Sequence, residues 1–340
     1  MNEAKFSFPA VKGIQASMEY YVTMVPLECI PRLFTFTGDN MPPEIRSQRT
    51  LNRSRIPEMA NYILNNPSSY VFSALTASVD GELSFEPANA NTNCLGTLSI
   101  SMSSKLLIND GQHRRAAIEA ALKKNPNLKY EHISMVLYHD IGLKRSQQMF
   151  SDLNRFAIRP TQSLNILYDN RDPLSLIVKE TIDEIPSFKD LTDKEHSSVS
   201  NRSVALFTLS ALYKGTSSLL NGLELSDYQQ KKLSISFWKE VYNNMPEWQD
   251  VHEKKAKAYD IRKNSLSPLS ITLKALGEIG NDLYKSNKSD YSISLKPLRN
   301  INWRKDNKIW DNGIVVNGSV QLSHATQQLM IDKLKNIIIK

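Results

Sequence analysis

Residues 106–125 read LLINDGQHRRAAIEAALKKN. A short apolar strand, LLIND, runs into an alanine-rich stretch of strong helix formers. Only Asp110 and Gly111 stand where the period changes. Gly111 can take a positive φ and lets a ligand come close to the backbone. The free N–H groups at the start of the following helix, with its macrodipole, favour an anion. Arg114 and Arg115 add charge-assisted donors. Asp110 is suited to hold an arginine, orient a ribose or ligate Mg²⁺ beside a nucleotide. His113 is suited to donate to a phosphate or to cap the loop, and Gln112 lies between. The stretch is thus a candidate strand–loop–helix phosphate cradle. The plainer alternative is a helix start with surface arginines.

Outward from this stretch the chain divides. Upstream, residues 17–36 are rich in aromatic and β-branched residues, IPEMANYILNN has helical spacing from Ile56, and YVFSALTASV (70–79) and GTLSISM (96–102) alternate as strands. Asp80-Gly81 has the composition of a hairpin turn. Downstream, HISMVLYHD (132–140) predicts a strand and GLKRSQQMFSDLNRF (142–156) a helix ending in Asn154-Arg155. From about residue 161 strand alternation fades into long helical patterns. The fold class expected is α+β: a mixed α/β N-terminal domain over 1–160, a helical domain over 161–294, and a basic tail over 295–340.

The 340 residues carry 42 basic and 35 acidic side chains, a formal charge of +7. That total alone fits many soluble proteins. By segment it is more informative: residues 171–294 are neutral, while residues 295–340 carry +5. An acid-free arginine run, Arg46, Arg49, Arg53 and Arg55, lies inside the nearly balanced first half. Arg46, Arg49 and Arg53 would share one helix face and could neutralise several phosphates. A solvated face, or a lining for the nucleotide pocket, are the alternatives. In the tail, Arg304, Lys305 and Lys308 interleave with Trp303 and Trp310, which suits backbone contact with stacking, or else a tail anchored by its tryptophans.

Other chemistry is not signalled. Two cysteines, Cys29 and Cys94, make no disulfide framework or zinc site. His132, His139, His196, His252 and His324 lack metal-ligand spacing. No GxSxG or GxxxxGK[ST] string occurs. The first residues lack the pattern of a signal peptide and no apolar run suits a membrane span, so a soluble cytoplasmic protein is expected.

The strings DGQHRRAA and FSDLNRFAIRPTQSL resemble the DGQHR-domain proteins. LNRSRIPE, VFSALTASVDG, the opening GIQASMEYYVTMVPL and the tail INWRKDNKIW sharpen this to the DndB family of DNA phosphorothioation clusters. The succession of elements in the first half is also similar to the ParB/sulfiredoxin superfamily. Sulfiredoxin chemistry needs a cysteine where Gln112 stands, and glutamine is no nucleophile.

The resemblance implies a DNA-binding repressor of a phosphorothioation gene cluster, its DNA affinity tuned by binding and slow hydrolysis of ATP, with Mg²⁺ as companion ion. Asp110, Gly111, Gln112, His113, Arg114 and Arg115, with Asn154 and Arg155, would hold the nucleotide, and Asp110 would be the candidate catalytic carboxylate of a weak DNA-stimulated ATPase. Arg46, Arg49, Arg53, Arg55, Arg304, Lys305 and Lys308 would meet the double-stranded promoter DNA of the protein's own cluster. A homo-oligomer is expected from operator symmetry. The competing readings are a ParB-type nuclease or phosphotransferase, and a scaffold for the modification enzymes.

Overall fold

The computed structural model of the chain describes residues 4–34, 51–139, 143–155, 160–286, 290–311, 313–321 and 323–339. It divides into two compact units, Met1–Ile158 and Arg159–Lys340.

The first unit is built on β1 (Lys5–Gln15), β2 (Met18–Pro26), β3 (Leu75–Asp80), β4 (Leu83–Pro87), β5 (Leu95–Ser101), β6 (Lys105–Asp110) and β7 (His132–His139). They form one mixed sheet in the order β4-β5-β1-β2-β7-β3-β6. Every pairing is antiparallel except that of β3 with β7. Its helices are α1 (Ile30–Leu33), α2 (Ile56–Asn65), α3 (Gln112–Lys124) and α4 (Leu143–Arg155). α2 packs on α3, and α4 lies along β6. Alternate residues of the strands, such as Leu98 and Ile100, or Ile133, Met135 and Leu137, join Ile63, Ala117, Ile118 and Ala121 in a single core.

The sequence expectation of α+β holds. One strand went without a sequence signal and one local reading is corrected. First, β1 carries no strong strand signal, because Pro9 and Gly13 interrupt it. Pro9 is tolerated because residues 5–9 pair with β5 alone, leaving the side towards β2 without a ladder at that point. Second, Asp80-Gly81 is not a hairpin turn. β3 pairs with β6 and β4 with β5, so residues 75–110 form one long ribbon whose turn lies at 88–94. The ribbon kinks in the middle, at Gly81-Glu82 on one strand and 102–104 on the other. Its two halves form opposite ends of the sheet. Since three chain steps reach only about 11 Å, those ends must approach, and the sheet curls round.

In the second unit the helices are α5 (Gln162–Tyr168), α6 (Pro173–Glu184), α7 (Pro186–Leu191), α8 (Leu209–Leu220), α9 (Asp227–Asn243), α10 (Pro246–His252), α11 (Ala258–Asn264), α12 (Ser270–Lys285), α13 (Tyr291–Ser294) and α14 (His324–Ile338). Side chains of Thr161, Asp172, Thr208, Ser226 and Ser323 cap α5, α6, α8, α9 and α14, with a full capping box between Ser226 and Gln229. α12 is the axis: it packs on both α8 and α14. A Cβ on Gly277 would sit 2.0 Å from the carbonyl oxygen of Gly215, so the two backbones touch where α12 crosses α8. Trp303 and Trp310 stack with ring centroids 5.5 Å apart and belong to this unit's core, 2% and 0% exposed. The tail tryptophans therefore anchor, and neither offers a face to a base.

Gly277→Ala should force α8 and α12 apart and cost roughly 1–3 kcal/mol, as overpacking does. Urea unfolding followed by tryptophan fluorescence would measure it, since all four tryptophans lie in the second unit. A variant as stable as the wild type would mean the helix crossing is not tight.

Candidate functional site

The end of β6 and the start of α3 form the site, and its shape begins with Gly111. Its φ of 103° and ψ of 17° lie in a region that residues with a side chain avoid. A Cβ there would come within 2.5 Å of Leu75 Cδ2. Glycine thus turns the chain from strand to helix while its backbone rests on β3. The first helical bond runs from the Arg115 N–H to the Gly111 carbonyl, at 2.9 Å. The N–H groups of the first turn have no helical acceptor and point out of the helix end. Lys123 and Lys124 in the last turn complement the dipole at the other end.

Arg114 locks this turn to its neighbours. Its Nη1 donates to the carbonyls of Ser73 and Ala74, each at 2.7 Å, and to the Ser73 hydroxyl. Its Nη2 donates to Asp110 Oδ2 at 2.5 Å. Arg115 donates to Glu119 Oε1 at 2.7 Å and to the Phe34 carbonyl at 3.3 Å. Their side chains are only 13% and 12% exposed. Both arginines are committed to protein acceptors, and Asp110 is held by Arg114 while remaining half-exposed. Beneath the loop, Ser78 donates to Asn109 Oδ1 at 2.9 Å, both residues fully buried. Asn109 was not singled out from sequence, although a polar residue inside LLIND was the visible signal.

One of the two arginine-bearing elements comes to this site. The backbone N–H of Asn52 donates to His113 Nε2 at 3.1 Å. Asn52 in turn caps the short 3₁₀ turn Arg53–Arg55, its side chain accepting from the Ser54 N–H at 3.2 Å. Arg53 and Arg55 are exposed beside the helix start. Asn52 itself is extended, with ψ 96°. This corrects the expectation of one helix through Arg46, Arg49 and Arg53, because the cap requires a non-helical residue there. Arg46 and Arg49 lie outside the described residues. Because Nε2 accepts, His113 carries its proton on Nδ1 and is neutral. Burial and then the nearby Arg55 charge push its pKa below the ordinary 6.5.

The remaining predicted residues are placed elsewhere. Arg155 closes α4 and is exposed, and the side chain of Asn154 lies outside the described ones. In the second unit, Arg304 pairs with Asp306 on the surface. Lys305 Nζ donates to the carbonyls of Arg262 and Lys263 at 3.2 and 2.7 Å, closing the C-terminal end of α11, and burial lowers its pKa. Lys308 is exposed. Burial raises the pKa of Cys29, which keeps it a thiol. Among the described residues, no group of three or more His, Cys, Asp or Glu is gathered as a metal site, and no helix is long and apolar enough to cross a membrane.

A family model described as DndB, DNA-sulfur modification-associated, matches residues 8–339. No curated protein and no solved structure gives a match.

The neutral His113 has a consequence for pH. Its folded pKa is lower than its unfolded one, so between the two values only the unfolded chain binds the proton. The stability it contributes is complete above about 6.5 and is lost as pH falls through the window below, where protonation also removes the acceptor for Asn52. Unfolding curves from pH 7.5 downward should show this loss in the wild type and a smaller loss in His113→Asn. Parallel curves for the two proteins would show that His113 does not titrate differently on folding.

Proposed function

We propose, from the premise that this chain belongs to the DndB family of DNA-sulfur modification-associated proteins, that it is a DNA-binding repressor of a phosphorothioation gene cluster, its DNA affinity modulated by ATP. Membership in the family connects the chain with DNA phosphorothioation; repression and ATP control go beyond it. The observation that carries it is the hydrogen bond from Asn52 to His113. It joins the arginine turn, a candidate for DNA phosphates, to the first turn of α3, a candidate for a nucleotide phosphate.

The residues present fit an anion at that helix end. Gly111 is buried against Leu75 and Arg114 and so fixes where the first turn begins, and a helix N-terminus favours an anion through its backbone N–H groups and dipole. Arg114 and Arg115 would keep the loop in shape, since their donors already serve protein carbonyls and carboxylates. Arg55 would add the nearest exposed positive charge, and Gln112 and His113 would line the approach. Asp110 remains the candidate carboxylate for orienting an attacking water, held by Arg114. When bound there, ATP supplies a polyanion next to the arginine turn. A change in how Asn52 meets His113 would then alter the presentation of Arg53 and Arg55. Such coupling requires that ATP bind one arrangement more tightly than the other, and by the same factor DNA would change the affinity for ATP. Slow hydrolysis would return the protein to the other arrangement.

A duplex from the gene's own upstream region should bind more tightly than a scrambled duplex at one fixed salt concentration, and ATP should change that difference. Equal affinities with and without ATP would reject the repressor reading, and cleaved DNA would favour the nuclease. Replacing Arg53 and Arg55 together by alanine should weaken duplex binding and lower the slope of log affinity against log salt by up to about 2. An unchanged slope would move the DNA contacts away from this turn.

A further inference from the structure

The second unit holds a cleft of about 720 Å³ between the end of α7, the loop before α8, and the link from α10 into α11. Its volume lies within the ~300–1,000 Å³ common to small-ligand sites. Three cations line it, Arg202, Lys254 and Lys257, and all three are exposed. Among the described residues none of their side chains makes an ion pair or a hydrogen bond, in contrast to Lys255 next door, which pairs with Glu253. The same lining carries two exposed apolar groups, Val204, 73% exposed, and Tyr259, each two residues along the chain from a cation, Arg202 and Lys257. Lys263 Nζ lies over the Tyr259 ring, 5.7 Å from its centroid.

The walls are held in place. Arg262 donates to the carbonyls of Ser200, Asn201, Ser203 and Ala205, which fixes the loop bearing Arg202 and Val204. His252 is clamped from both sides: Nε2 is 3.3 Å from Asp190 Oδ2, and Nδ1 is 3.2 Å from the Tyr242 hydroxyl. The one carboxylate lining the cleft, Asp190, is thereby engaged. Lys254 has a φ of 62°, where glycine is the usual residue after a helix. The chain accepts that conformation at a residue that sets a cation on the rim.

Unpaired cations set beside exposed aliphatic and aromatic groups suit a ligand that joins a phosphate to an apolar ring. We propose that this cleft is a second ligand site, binding the phosphate of a nucleoside phosphate through Arg202, Lys254 and Lys257 while its base or sugar rests on Val204 and Tyr259. The nucleoside phosphate is either a free mononucleotide or the phosphorylated end of a DNA strand; both present the same chemistry. Its lining residues all belong to the second unit, and the variants below leave the helix end of the first unit unchanged, so the binding they remove reports on this cleft.

The experiment is a fluorescence titration of the full chain with methylanthraniloyl-AMP, and with a 5′-phosphorylated dinucleotide bearing the same label, at one salt concentration. Two variants are compared with the wild type: Arg202→Ala with Lys257→Ala, and Lys254→Gly. Glycine adopts the conformation at 254 without a Cβ penalty, so the melting temperature of the second variant should equal or exceed that of the wild type. Both variants should bind the probes roughly tenfold or more weakly, as expected for lost charge-assisted contacts. Unlabelled AMP should compete, and adenosine should not. Tighter binding of AMP would identify a free nucleotide as the ligand, and tighter binding of the dinucleotide a strand end. If both folded variants bind like the wild type, or the wild type shows no saturable binding in the millimolar range, the proposal is overturned.

Discussion

The arrangement of the first unit depends on the guanidinium of Arg114. The chain must turn from β6 into α3 within one residue, and it must do so beside the irregular entry to β3. That entry, Ser73-Ala74, leaves carbonyls with no ladder partner. Ser73 is exposed and Ala74 half-buried, and a guanidinium can serve several such acceptors at once in a fixed plane. Arg114 satisfies both carbonyls and the Asp110 carboxylate together. It thereby fixes the loop that sets the first turn of α3 towards solvent. A lysine could supply the charge but not the planar fork.

The second unit uses the same device at Arg262, whose donors reach four successive or near-successive carbonyls in residues 200–205. In both units an arginine that composition counts as positive charge is consumed in stabilising a loop. Lys305 is a third case, closing the carbonyl end of α11. This explains why a net charge of +7 says so little about partners. The informative cations are those left without internal acceptors, and their identity depends on where the backbone leaves carbonyls exposed.

The α+β class, the helices from Ile56 and Gln112, the change of character near residue 161 and the long helices after it were all legible in the sequence. Each rests on local periodicity and on turn chemistry, which act within a few residues. Asp80-Gly81 misled because a two-residue turn and a kink in a long ribbon share the same local composition. Only the partners of β3 and β4, across the sheet, separate the two. Strand β1 was hidden because its pairing excuses Pro9 on one side only. At the candidate site, Gly111 was readable from the change of period, whereas the commitment of Arg114 and Arg115 to internal acceptors was not.

The sequence by itself determined the α+β class, the glycine-led strand-to-helix turn and the DndB family, because these depend on patterns along the chain. The tertiary structure alone decided which charges are spent and which remain available. Asn52 and His113 are 61 positions apart, and Arg262 lies 57 to 62 positions from the carbonyls it clamps. Such contacts depend on how separate elements pack, and no local pattern in the chain encodes that.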